Sequence, residues 1–99
     1  MSGLEDEALD GMPSADELAA AIRSLDVGPL LLSTVSTLAS VAYGKLEDSD
    51  LGQARTAIDA IAALLPILEG QVEEAFLKDF VQALANLRLA YAETAGRAR

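Results

Sequence analysis

The sequence predicts an all-α fold, a small helical bundle of three main helices plus a short N-terminal one. Three observations predict it. Apolar residues recur three and four apart in each of four segments, the spacing of one face of a 3.6-residue helix. The apolar share is 52% while aromatics supply only 4%, so Ala and Leu, both strong helix formers, must carry the core. No run alternates β-branched and polar residues as a half-buried strand does.

The bundle is organised around Val27 to Gly44, VGPLLLSTVSTLASVAYG, which passes without a charge in a chain of net charge −9. Pro29 suits a first helical turn, and Asp26 or Gly28 can cap it. Leu31, Val35, Leu38 and Ala42 form one apolar row. Ser36, Ser40 and Gly44, with Ser33 and Thr37 beside them, form a second row of small groups. That second face is expected to admit the backbone of another helix, with buried hydroxyls bonding back to carbonyls one turn earlier. Small-residue stripes also occur in membrane helices, which gives the stretch two readings. Five Ser or Thr in eighteen residues, the charges from Lys45 onward and the lack of a flanking basic cluster favour the buried soluble helix.

Before this helix, residues 1–13 are rich in acid and Gly and read as a disordered acidic tail, or as a short acidic arm that docks on a partner. The helical domain is expected over 14–96. In its first part Ser14 and Glu17 make a capping box, and Leu18, Ala21, Ile22 and Leu25 make one stripe. Twelve residues are marginal alone, so this helix must cover the main core or reach a neighbouring subunit.

After the central helix, KLEDSD (Lys45–Asp50) is expected to be a polar connection, with Asp50 and Gln53 repeating the capping pattern. Leu51, Ala54, Ile58, Ile61, Leu65 and Leu68 then follow heptad spacing. Pro66 predicts an end or kink near Leu65, with Gly70 in the turn. Gln71 to Ala95 reads as the longest helix, with a stripe of Phe76, Phe80, Ala83, Leu87 and Ala90 widened by Leu84 and Tyr91; the next position, Thr94, weakens it. Glu73 and Glu74 suit the helix start, Glu74 can pair with Lys78, and Gly96 is expected to stop the helix before a basic tail at 97–99. Counting outward from the turn near 66–71 predicts two ion pairs, Asp59 with Lys78 and Arg88 with Asp50.

Composition excludes much chemistry. Without Cys there is no disulfide or thiolate site, and without His no ordinary activated nucleophile or Glu-x-x-His metal site. Asp48, Asp50, Gly52 and Asp59 resemble a calcium loop only distantly, with the glycine one place early. No phosphate loop is present. We therefore expect no enzyme activity, no cofactor and no metal. Residues 1–26 carry seven acids and one base, opposite to a secretory signal, so a cytoplasmic location is expected. The acidic balance argues against nucleic acid. Arg55, Arg88 and Tyr91 are the candidate interaction residues, of types enriched at hot spots. Each also has an ordinary structural role open to it, such as pairing of Arg55 with Asp59.

DLGQARTAIDAI from Asp50 to Ile61, followed by NLRLAYAE from Asn86 to Glu93 after an uncharged helix, resembles the bacterial family catalogued as domain of unknown function 1844. Asp50, Leu51, Ala54, Arg55, Ile58 and Asp59 fit its first motif, and Leu87, Arg88, Ala90 and Tyr91 its second. The likeness spans about residues 27–93. It departs at the LLPILEG turn, which is usually polar and Lys-rich in the family, and at Asn86, where an acid is common. The resemblance implies a small helical bacterial protein and brings no assigned activity.

The expected function is a non-enzymatic protein–protein interaction module that self-associates, a dimer favoured, with an unknown protein partner beyond that. The alternative is a membrane-associated accessory protein using residues 27–44.

Overall fold

A computed structural model describes Met12 and residues 14–97. The acidic segment 1–11 and the last two residues lie outside the described set, so the expectations for both tails fall there, apart from Arg97. Four helices follow in order: α1 (Ala15–Arg23), α2 (Val27–Glu47), α3 (Leu51–Leu68) and α4 (Glu74–Arg97). No strand occurs among the described residues, and the fold is an all-α helical bundle.

The core is built by α2, α3 and α4, which pack pairwise, α2 against α3 most extensively. From α3 it takes Ala54, Ala57, Ile58, Ile61, Leu65 and Leu68, so the heptad-spaced row faces inward as expected. Val35, Ala42 and Leu46 enter from α2 and Leu84 and Leu87 from α4. Ile61, Leu68, Leu87 and Val35 are the largest side chains fully removed from water, each contributing about 1.5–3 kcal/mol.

Helix ends differ from the sequence expectation in four places, one being the start of α4 at Glu74 rather than Gln71, because the turn at Gly70 extends through residues 71–73. Residues Lys45–Glu47 continue α2 instead of forming a polar connection. Leu46 is buried in the core, and that burial recruits the additional turn. Two bonds then close the helix, Asp50 N–H to the Lys45 carbonyl (2.8 Å) and Ser49 N–H to the Leu46 carbonyl (3.0 Å). These are the two bonds of a Schellman motif, with Ser49 at φ 58° in the left-handed position glycine usually takes. Pro66 does not end α3, which runs on to Leu68. Leu65 and Leu68 on either side of it are buried, and their burial outweighs one lost bond so near the terminus. Gly70 is in the turn, at φ 80°. Gly96 lies within α4 rather than ending it. Thr94 is buried, with its hydroxyl donating to the Ala90 carbonyl (2.9 Å) and accepting from Arg97 (3.3 Å).

Asp50 caps α3, its carboxylate accepting from the Gln53 N–H at 3.2 Å. It does not pair with Arg88, nor does Asp59 with Lys78 or Glu74 with Lys78; among the described residues the ion pair present is Arg55–Asp59, at 3.8 Å. Asp50→Ala is therefore expected to cost about 0.5–2 kcal/mol through the lost cap. In a double-mutant cycle of urea melts it should show no coupling to Arg88→Ala.

The short α1 is capped as predicted, the Ser14 hydroxyl accepting from the Glu17 N–H at 3.1 Å. It has no buried residue and packs on none of the other helices. Of the two roles open to it, covering the chain's own core is thus not the one it takes. The chain is correspondingly extended, with a radius of gyration of 18.7 Å against about 13 Å for a compact chain of 100 residues.

Candidate interaction surface and the Arg55–Arg88 cavity

Two regions stand out once the core is accounted for. The first is an uncovered apolar surface. Leu18, Ile22 and Leu25 are each half exposed or more on and just after α1, and Val27 and Leu30 are exposed at the start of α2. Along α2, Val27, Leu30, Thr34, Thr37, Val41 and Gly44 recur three and four apart, and all six are exposed. This seam has the a/d spacing of a helix–helix contact, yet none of the described helices lies on it. The inner row of Leu31, Val35, Leu38 and Ala42 is the one the core uses.

The small residues fall differently from the close contact envisaged for them. Ser33, Ser36, Thr37, Ser40 and Gly44 are all exposed, and among the described residues no other element comes within 4 Å of the position a Cβ on Gly44 would take. Ser33, Ser36 and Thr37, with Leu32, edge a shallow groove of about 400 Å³ beside Phe76 and Phe80. It adjoins a second groove of about 420 Å³ that reaches Pro29 and the turn Gly70–Glu73. Of the hydroxyls on α2, Thr34 bonds back, donating to the Leu30 carbonyl at 2.9 Å. A close approach to another backbone occurs instead at Gly28, where a Cβ would stand 2.8 Å from the Gln71 carbonyl oxygen. Of the two cap candidates in the sequence, Asp26 occupies the N-cap, without a side-chain bond, and Gly28 serves this close approach.

The second region unites the three candidate interaction residues. Arg55, Arg88 and Tyr91, with Ile58 and Asp59, line one cavity of about 320 Å³ between α3 and α4. Ile58 is buried beneath it and Tyr91 is half buried. Arg55 approaches Asp59 through Nε at 3.8 Å, both side chains being about 70% exposed (71% and 68%). That distance is too long for a hydrogen bond, and an exposed i,i+4 pair contributes only about 0.3–0.5 kcal/mol. Spacing had placed Arg88 opposite Asp50, whereas it sits with Arg55 and Asp59.

Among the described residues no cluster of three carboxylates suits a metal ion. No protein-family model, curated protein or solved structure matches the chain.

Proposed function

We propose that this chain is a non-enzymatic interaction module that self-associates, with the outer seam of α2 and the stripe of α1 as its contact surface. One observation carries the reading: the apolar stripe of α1 and the uncharged outer face of α2 are both exposed, with no partner among the described residues. A nine-residue helix is marginal in water by itself, so a second molecule is the natural support for it. A single seam on one helix is satisfied by one further copy about a two-fold axis, which favours a dimer. The likeness to domain of unknown function 1844 agrees with a small helical protein and adds no activity.

The test uses Ile22→Asp. Ile22 is 59% exposed, and α1 packs on no other helix, so this substitution leaves the α2–α4 core untouched. A buried carboxylate at the contact is expected to weaken association at least about tenfold, read by sedimentation velocity across a dilution series. Helicity of the main bundle should be retained. An unchanged sedimentation profile would remove α1 from the interface.

A second reading has its own support. Val27–Glu47 and Leu51–Leu68 are both long and apolar enough to cross a membrane, each with a mean hydropathy of 1.3. Against it, α3 exposes Arg55 in its second turn and Asp59 at mid-length, which is costly in hydrocarbon. The outer face of α2 also presents Thr34 and Thr37. Flotation of the purified chain with phosphatidylcholine vesicles would put the membrane reading first.

A further inference from the structure

We infer that the cavity between α3 and α4 is a carboxylate-binding site for an acidic peptide segment, with Arg55 and Arg88 as its recognition groups. This inference does not depend on self-association, because the cavity faces a different side chain set from the α1–α2 surface. Arg55 and Arg88 are two of only seven cations in a chain with sixteen acids, yet they share one cavity. Arg88 makes no ion pair or hydrogen bond among the described residues, and Arg55 approaches Asp59 through Nε at 3.8 Å without a hydrogen bond. Both guanidiniums therefore have N–H donors to offer, and a planar carboxylate is the group that guanidinium donors bind in pairs.

Charge and size select the ligand. Two guanidiniums against the single Asp59 carboxylate leave one net positive charge, which matches a carboxylate and would be overdrawn by a dianionic phosphate. Ile58 and the ring of Tyr91 provide an apolar wall for the methylene stem of an aspartate or glutamate side chain. A volume of about 320 Å³ is at the small end for ligand pockets, suited to one or two side chains rather than to a helix. An acidic segment can come from a separate protein or from the chain's own residues 5–10, EDEALD, which carry four acids.

The experiment separates these sources. A fluorescein-labelled EDEALD peptide is titrated by anisotropy into two full-length chains, the wild type and one neutralised by Glu5→Gln, Asp6→Asn, Glu7→Gln and Asp10→Asn. Binding to the neutralised chain is expected. In that background Arg88→Gln should weaken it about tenfold, as loss of a charge-assisted fork does. Arg88→Lys should recover part, and Asp59→Asn should tighten binding by removing the competing carboxylate. Equal binding by the wild type would mean that the site is open to a separate acidic partner. Binding about tenfold weaker in the wild type would mean that its own segment already occupies the site. If the neutralised chain binds no peptide, or binds it with an affinity that Arg88→Gln and Asp59→Asn leave unchanged, the inference is overturned.

Discussion

Truncating Leu87 to alanine is expected to cost about 2–5 kcal/mol of folding stability. Leu87 is fully buried, and it joins α4 to the α2 and α3 rows at the centre of the core. Domains of this size have about 5–15 kcal/mol in total, so the variant should unfold at a much lower urea concentration, followed by circular dichroism. Val81→Ala on the same helix removes a side chain that is 53% exposed and should change stability by less than about 0.5 kcal/mol. Equal costs for the two would mean that α4 packs through a different face.

Gly28→Ala should give the second large effect, and here the sign is informative. In an unobstructed helix the change from glycine to alanine stabilises, by up to about 1 kcal/mol. At Gly28 the added methyl would stand 2.8 Å from the Gln71 carbonyl oxygen and 3.7 Å from its carbon. Both are backbone atoms of the turn between α3 and α4, which cannot rotate aside as a side chain can. Overpacking of that kind costs about 1–3 kcal/mol, so a net loss in thermal stability is expected. Gly96→Ala, with nothing within 4 Å of its Cβ position, should be neutral or stabilising. A gain at Gly28 would show that the turn does not cross the first turn of α2.

The inward rows of α2 and α3 were legible in the sequence because burial imposes periodicity, and both caps at Ser14 and Asp50 were legible because one side-chain oxygen meets one known N–H. Helix ends were less so. The polar run from Lys45, Pro66 and Gly96 carry local stop signals, and the burial of Leu46, Leu68 and Thr94 within or beside them overrides those signals. The register between α3 and α4 was not legible. Counting residues from a turn assumes parallel axes and a symmetric turn, and neither is encoded in spacing. Hence Arg88 was set against Asp50 when it lies with Arg55 and Asp59. Arg55, Arg88 and Tyr91 could be chosen singly by residue type, but their convergence on one cavity is a tertiary fact. The small-residue row on α2 told only that an approach is sterically open; which element approaches, if any, depends on the rest of the fold.

The proposed surface also explains how one helix can be both uncharged and exposed. Only the inner row of α2 is consumed by the core, and its outer seam and the stripe of α1 are left uncovered by the other described helices. Covering both with a second copy would take Leu18, Ile22, Leu25, Val27, Leu30 and Val41 out of water together.

The most direct test is the mass of the full-length, detergent-free protein by light scattering during size exclusion. At micromolar concentrations the expected mass is twice the monomer value of 10.3 kDa, falling toward the monomer in Ile22→Asp. A mass of 10.3 kDa at every concentration up to the solubility limit would contradict self-association through α1 and α2.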